Sequence, residues 1–176
     1  MWESIMKNLL NAREDKQKYL TTETTIILSL NIPGQDKRNA DAFYIFTHTL
    51  PYISYQRKTF ISDDSGYYAV FHTQEDARAV KEKMISLENE LFLGRFLDLD
   101  VYEQGRLLHR KYRRTCMLCQ QSVTECRREQ THSLSELRTF IKTKVNTHKR
   151  HLKLLNVIKD ACQTELAMTP SFGLVN

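Results

Sequence analysis

The sequence has no uninterrupted apolar run near the roughly 18 residues that a membrane-spanning helix needs. Its first residues also lack the basic stretch followed by an apolar stretch that marks a secretory signal. Internal repeats and low-complexity tracts are missing as well. We therefore expect no membrane segment and a cytoplasmic setting, where clustered cysteines stay reduced or bind metal instead of forming disulfides.

Cysteine is scarce, with 4 in 176 residues, while the hydrophobic share of 41% suffices for a core without disulfide staples. The formal net charge of +5 favours an anionic partner. Basic residues concentrate at 106–114 and 142–159, but without the dense, aromatic-interleaved pattern of a nucleic-acid surface. We expect a phosphorylated small molecule or an acidic protein as partner, rather than nucleic acid. The run at 142–159 is also typical of a solvated helix face.

Apolar periodicity predicts helices at 2–20, at 41–50, from about 73 to 89, and from 133 to about 166. β-Branched and alternating segments predict strands at 24–32, 54–62, 67–72 and 96–102, with a turn leading into 106–109. This order indicates an α+β fold. It has a mainly antiparallel sheet with packed helices, a Cys/His-rich loop and a C-terminal helical extension.

Local signals refine these boundaries. The sequence of residues 63–66, DDSG, predicts a hairpin turn between two strands. Residues 73–76, TQED, resemble a capping box that opens a helix. Ser133 and Glu136 form a second capping box, and a break in the long helix that follows is expected near Asn146 and Thr147.

Asp98 and Asp100 lie two positions apart on the predicted strand 96–102, so their side chains share one face. Two carboxylates about 7 Å apart repel each other by about 2 kcal/mol at an effective dielectric of about 20. A Mg²⁺ ion bound between the carboxylates replaces their repulsion with a net attraction. Mg²⁺ favours one or two carboxylates together with substrate phosphates. A solvated polar strand face is the alternative explanation. Gly94 and Arg95, just before the strand, suit close approach to a phosphate and its binding.

Three cysteines and a histidine follow: Cys116, Cys119, Cys126 and His132. Two residues separate the first pair, six the second and five the third. Thiolate and imidazole are the ligands Zn²⁺ favours, and four of them close a structural site. The alternative is three reduced cysteines in a loop. If zinc binds, it holds the arginine-rich segment 106–114 against the sheet.

Four separated segments resemble the CitX family, which is citrate lyase holo-acyl-carrier-protein synthase, also called apo-citrate lyase phosphoribosyl-dephospho-CoA transferase. They are LLNAREDKQ at 9–17, LNIPGQDK at 30–37, LGRFLDLDV at 93–101, and the cysteine segment at 114–133. The resemblance covers about residues 5–142. Its most specific part is the Gly-Arg-x-x-Asp-x-Asp-Val element with the cysteine cluster downstream.

The resemblance implies a nucleotidyl-type transfer. A serine hydroxyl of the acyl carrier (γ) subunit of citrate lyase attacks 2′-(5″-triphosphoribosyl)-3′-dephospho-CoA, a phosphodiester forms and diphosphate leaves. The hypothesis assigns catalysis and Mg²⁺ to Asp98 and Asp100, with Arg95 and Arg110 at the phosphates. It assigns substrate binding to Arg13, Lys37, Gly94, Arg106 and Arg114, and possible structural Zn²⁺ to Cys116, Cys119, Cys126 and His132.

The chain departs from the family pattern at His109, where such proteins usually show serine before the arginine. The linker 111–114 is also shorter than expected. Residues 161–176 resemble the opening of the CitG family, which makes the donor and can be fused to CitX. We expect a CitX-like domain over 1–142 and a truncated CitG-like helical extension over 143–176, without donor synthesis.

A rival interpretation from another class is a zinc-stabilised module that uses its arginine-rich loop to bind an acyl carrier protein or another acidic partner, without catalysis. Mg²⁺-dependent release of diphosphate separates the two interpretations, because a binding module needs neither the metal nor the reaction.

Overall fold

A computed structural model describes residues 16, 18–55, 57–119 and 121–168, without the side chains at 57, 58, 158 and 160–168. The helix predicted at 2–20 falls mostly outside these residues, as does Arg13. No helix within the described part is both long and apolar enough to cross a membrane.

One antiparallel sheet of five strands forms the centre of the fold, in the order β2-β3-β1-β4-β5. The strands are β1 (Thr24–Leu30), β2 (Arg57–Asp63), β3 (Gly66–Thr73), β4 (Leu97–Glu103) and β5 (Arg106–Leu107). β1 lies at the centre and pairs with β3 on one side and with β4 on the other. The predicted α+β class with an antiparallel sheet is confirmed.

Within the described residues, four helices accompany the sheet: α1 (Ala40–Thr49), α2 (Ala77–Glu90), α3 (Val123–Glu129) and α4 (Leu134–Met168). Short 3₁₀ turns occupy Leu50–Tyr52 and Gly94–Phe96. The main core lies between α1, α2, α4 and one sheet face. It is built from alternate strand residues and the apolar helix stripes, including Ile26, Leu28, Phe71, Leu99, Val101, Ile45, Val80, Met84 and Val145.

The opposite sheet face carries a smaller apolar cluster. Its buried members are Ile27, Tyr68 and Val70, and Tyr19 and Leu20 pack against them. Because strand side chains alternate between faces, this face also receives the polar residues of β4.

The helix α2 begins later than the TQED sequence predicts, so that prediction is wrong in detail. Thr73 still pairs with Thr24 in the sheet, which keeps it in strand conformation. Asp76 is the cap instead, and its Oδ1 accepts from the backbone N–H groups of Arg78 and Ala79 at 3.1 and 2.9 Å. A carboxylate that satisfies two free N–H groups fixes the helix start at Ala77.

The capping box of α4 is confirmed, because Ser133 Oγ accepts from Glu136 N–H while Ser133 N–H donates to the Glu136 carboxylate at 2.8 Å. The break expected near Asn146 and Thr147 is wrong, since α4 continues without interruption to Met168. Thr147 Oγ1 donates to the carbonyl of Thr143 at 2.9 Å, so its hydroxyl is satisfied inside the helix. Fully buried Val145 anchors the same stretch to the core.

Candidate phosphate and metal site

The two aspartates of β4 share one face, as their spacing predicts. Asp98 stands opposite Ser29 and Asp100 opposite Ile27 in the pairing with β1. The alternate residues Leu97 and Leu99 are each 1% exposed and face the main core. Asp98 is exposed and Asp100 half-buried. Burial, and then the neighbouring Asp98 carboxylate, raise the pKa of Asp100.

An open cavity of about 570 Å³ lies beside these carboxylates. Its charged lining consists of Asp98, Asp100, Lys81, Arg110, Arg113, Arg114 and Arg127, and exposed His109 also lines it. We call it the aspartate cavity. A site that joins two carboxylates to several cations can hold a divalent metal and a phosphate side by side.

β5 pairs with β4 only at Tyr102 and Glu103. Further along the outer edge of β4, side chains form the hydrogen bonds to its backbone. Arg114 donates to the carbonyl of Leu97 at 2.6 Å. Glu88 accepts from the N–H of Leu99 at 2.7 Å, and Lys81 donates to the Leu99 carbonyl at 3.0 Å. Backbone groups at a strand edge need such partners when they are buried. The charged residues therefore attach directly to the backbone on both sides of Asp98.

Lys81 and Glu88 are two site residues that the sequence reasoning missed. Both lie on the buried face of α2, with 7% and 5% exposure. Burial lowers the pKa of Lys81, and the charge of Asp100 opposes that shift. The sequence could have identified these two residues. Their charged side chains stand at helical spacing on the apolar face that contains Val80 and Met84, where a charge needs a buried partner.

A second cavity, of about 690 Å³, adjoins the first and shares Arg114 and Arg127 with it. We call it the cysteine cavity. Lys37 and Arg95 also line it, and no acidic side chain of the described residues does. The two cavities together thus present a cation-rich surface with carboxylates at one end only.

Two of these cations are held by backbone carbonyls. Lys37 donates to the carbonyl of Ile32, and Arg95 donates to the carbonyl of Thr115. Burial lowers the pKa of Lys37, and the charges of Arg127 and Arg138 add to that shift. Lys37 thus lies among other cations. An anion bound in the cysteine cavity would reduce the repulsion between them.

The predicted Cys₃His group comes together beside the cysteine cavity. Cys116 and Cys119 lie in the turn before α3, Cys126 lies on α3, and His132 follows it. One ligand atom from each residue lies within 4.8 Å of all the others, and the sulfurs of Cys116 and Cys126 are 3.4 Å apart. The helix α3 was not predicted from the sequence, and it is what brings Cys126 back to the turn.

The geometry of this group fits a tetrahedral metal ion. A tetrahedral site with Zn–S bonds of about 2.3 Å places its ligand atoms about 3.7 Å apart. His132 Nε2 is buried, with no hydrogen-bond partner among the described residues. The group can therefore bind a metal such as zinc.

The sulfurs of half-buried Cys116 and buried Cys126 differ in character. Burial acts to raise the pKa of Cys116. Hydrogen bonds from the backbone N–H groups of Leu118 and Cys119, and with the thiols of Cys126 and Cys119, outweigh that effect and lower the pKa to about 7. Burial, and then the hydrogen bond with Cys116, raise the pKa of Cys126 to about 11. The lowered pKa of Cys116 makes its thiolate easier to form near neutral pH, and the thiolate is the form that binds metal.

Some predicted substrate residues lie elsewhere. Gly94 is buried and lines neither cavity. A Cβ there would approach the carbonyl oxygens of Leu87 and Glu88 at 2.6 and 2.7 Å, so glycine permits close packing on the end of α2. Arg106 is exposed on β5, opposite Glu103, and also lines neither cavity. The site gathers Asp98, Asp100, Arg95, Arg110, Arg114 and Lys37.

Known proteins are similar in sequence to most of this chain. The family model of CitX, described as apo-citrate lyase phosphoribosyl-dephospho-CoA transferase, matches residues 4–148. The transferase of that name from Citrobacter koseri is 31% identical over 149 residues, which cover 73% of this chain and 81% of the relative. A probable transferase of the same name from Streptococcus pyogenes serotype M3 is 30% identical over 162 residues, or 77% of this chain and 82% of the relative.

A longer relative is similar as well. Protein CitXG of Haemophilus influenzae is 30% identical over 191 residues, which cover 97% of this chain and 41% of the relative. The chain thus spans less than half the length of this relative.

The sheet, its paired carboxylates and the cation-lined cavities define a class of α+β protein with carboxylates and clustered cations on one surface. Within that class, the extent of the match decides the family. This chain belongs to the CitX family.

Proposed function

We propose that this protein attaches the phosphoribosyl-dephospho-CoA prosthetic group to the acyl carrier subunit of apo-citrate lyase. The donor is triphosphoribosyl-dephospho-CoA. The carrier serine oxygen forms a bond to the phosphorus next to the ribose, the bond from that phosphorus to diphosphate breaks, and the hydroxyl proton passes to solvent. The family and the names of the relatives support this reaction.

One observation carries the proposal furthest: the carboxylate pair of β4 lines one of two adjoining cation-lined cavities, which share Arg114. A triphosphate needs both parts, because cations stabilise charge that develops on the phosphates while carboxylates hold a divalent metal. Asp98 and Asp100 are the residues that would hold Mg²⁺, and the ion would supply further charge neutralisation to the leaving diphosphate.

The arginines and Lys37 have complementary roles in this proposal. Arg110 and Arg114 face the aspartate cavity, while Arg95 and Lys37 face the cysteine cavity. A donor that spans both cavities places its phosphates at their junction, near Arg114. Forked guanidinium groups suit that junction, since they bind phosphate oxygens in pairs.

The Cys₃His group has a structural role in the proposal, with zinc as the metal. Four protein ligands leave no open position for substrate, so the ion would fix the wall of the cysteine cavity and take no part in chemistry. Reduced thiolates are needed for this, which fits a cytoplasmic setting.

Diphosphate release tests the proposal. The wild-type protein is mixed with apo acyl carrier subunit, triphosphoribosyl-dephospho-CoA and Mg²⁺, and diphosphate is measured by an enzyme-coupled assay. We expect release only when all components are present. Binding of the carrier without release would contradict the proposal and support the rival interpretation, a binding module without catalysis.

A further inference from the structure

The carboxylate of Glu88 lies at the centre of the arginine cluster. It projects from the last turn of α2 and is 5% exposed. Its Oε1 accepts from the Leu99 N–H at 2.7 Å and pairs with Arg114, while its Oε2 pairs with Arg110. One buried carboxylate therefore joins two arginines of the site to the backbone of β4.

The same contacts surround Asp98. Arg114 reaches the Leu97 carbonyl at 2.6 Å and lies 3.8 Å from the Asp98 carboxylate. Glu88 contacts the backbone on the other side of Asp98, at Leu99. The pair formed by Glu88 and Arg114 thus brackets the residue proposed to hold the metal.

The charges in this cluster do not balance. Within the buried part of the cluster two guanidinium groups share the Glu88 carboxylate, a formal charge of +1 before the exposed Asp98, 3.8 Å from Arg114, is counted. Burial, and then the neighbouring Arg114, lower the pKa of Arg110 to about 10. Buried ion pairs add little net stability because desolvation offsets their attraction. The consequence of this arrangement is geometric: it fixes two cations that would otherwise repel each other.

We propose that Glu88 is a positioning residue that holds Arg110 and Arg114 in the orientation that receives the phosphates of the donor. This inference rests on the proposed function, because it concerns the same phosphate site. Glu88 does not itself meet the donor, since a carboxylate repels phosphate. It acts through the two arginines.

The direction in which Glu88→Gln changes the affinity for anions separates a positioning role from simple charge compensation. In Glu88→Gln the amide oxygen can still accept from the Leu99 N–H, but the negative charge is removed. If Glu88 only offsets positive charge, the variant binds anions more tightly, because its site is more positive. If Glu88 orients the arginines, the variant binds anions more weakly.

The test is calorimetric titration of the full chain with inorganic triphosphate in the presence of Mg²⁺. We expect Glu88→Gln to bind about tenfold more weakly, in the range typical of a group that orients charged ligands. In an Arg110→Ala, Arg114→Ala background the same substitution is expected to change affinity less than about twofold, because its targets are gone. Tighter binding, or an undiminished loss in that background, overturns the inference.

A second pair of variants covers the case in which Glu88→Gln does not fold. Arg110→Lys and Arg114→Lys keep the charge but lose the forked geometry. Both are expected to weaken triphosphate binding severalfold, with thermal unfolding close to wild type. Wild-type affinity in both variants overturns the inference.

Failure of the proposed function gives a different pattern. A wild-type protein that binds triphosphate but releases no diphosphate in the transfer assay contradicts the proposed function alone. The Glu88 titrations remain interpretable in that case. Wild-type protein that does not bind triphosphate contradicts both.

Discussion

The two cavities share Arg114, yet their walls are held in place by different means. The aspartate cavity rests on β4, whose residues pair with the central strand β1 and whose alternate side chains are almost fully buried. One wall of the cysteine cavity is formed by the turn before α3 and by the short helix α3, in which Cys126 is the only buried residue described. Regular hydrogen bonding fixes the first wall. In the proposal above, a metal bound to the Cys₃His group would hold the second wall.

This difference indicates a division of labour. Groups that act on the reacting phosphate belong on the rigid strand, because small displacements there are costly to catalysis. A segment with few buried apolar contacts opens at low free-energy cost unless something else holds it. The Cys₃His group is suited to that task, so metal loss and carboxylate loss are expected to damage the site in different ways.

The largest expected effect is on the rate of transfer, from a substitution in β4 at the aspartate cavity. Asp100→Asn is expected to lower the rate of transfer by more than about a hundredfold, as for loss of a group that stabilises developing charge. The fold is expected to persist, since asparagine has the same shape. Diphosphate release and circular dichroism measure the two outcomes.

Asp64→Asn is the matched control, because Asp64 is exposed in the hairpin and pairs only at the surface with Arg38. It is expected to leave transfer unchanged. Equal rates in wild type and Asp100→Asn would remove the aspartate cavity from the chemistry.

The next effect concerns the metal. Purified protein is expected to contain about one zinc per chain, and Cys126→Ala is expected to lose it, because a structural site needs all four ligands. Plasma mass spectrometry measures the metal, and limited proteolysis between α3 and α4 measures the opening of the segment. Transfer is expected to fall about tenfold through a higher KM for the donor.

Cys162→Ala serves as the control for a lost thiol, since Cys162 stands apart from the cluster in the sequence. It is expected to retain zinc. A cluster that holds no zinc, with the segment still resistant to protease, would show that the second wall needs no cross-link.

Loss of Arg114, which lies at the junction of the two cavities, is expected to have a smaller effect on transfer than loss of Asp100. Arg114→Ala is expected to raise the KM for the donor by about ten- to a hundredfold, because it removes a charge-assisted contact shared by both cavities. Arg106→Ala, at an exposed position on β5, is expected to change KM less than about twofold. Steady-state kinetics with the acyl carrier subunit measures both, and a larger loss at Arg106 would contradict the placement of the phosphates.

The smallest effect is on stability. The folded-state pKa of Asp100 is raised, so the folded protein binds more protons than the unfolded chain between the unfolded value of about 3.9 and that raised value. Stability contributed by this group therefore falls as pH rises through that window. At neutral pH, Asp100→Asn is expected to stabilise the fold by about 1 kcal/mol, because it removes the cost of burying the charge and then the repulsion from Asp98.

Urea unfolding at pH 7 and at pH 4 checks this expectation. The gain is expected to shrink at the lower pH, because the raised pKa of Asp100 makes a larger fraction of its carboxyl group protonated there. Destabilisation at pH 7 would show that Asp100 is held by its cationic neighbours more strongly than it is repelled by Asp98.

The sequence predicted the parts of this molecule that depend on local patterns. Alternation placed Asp98 and Asp100 on one face, and the spacing of cysteines identified the Cys₃His group. The capping box at Ser133 marked the start of α4. Each of these follows from periodicity or from contacts between residues close together in the chain.

Contacts between residues far apart in the chain were not predicted from the sequence. Glu88 meets Arg114 across 26 positions and Lys81 meets Leu99 across 18, and nothing local marks either pair. Gly94 was assigned to phosphate approach, but the backbone it approaches is that of α2. The packing of α2 against the open edge of β4 explains all three, and that packing is a property of the assembled sheet.

Intact mass spectrometry of the acyl carrier subunit tests the central claim most directly. The apo subunit is incubated with the protein, triphosphoribosyl-dephospho-CoA and Mg²⁺, in parallel with the Asp100→Asn variant. The account predicts a mass gain equal to the donor minus diphosphate with the wild-type protein and none with the variant over the same time. No gain with folded wild-type protein would contradict the account and leave a carrier-binding module.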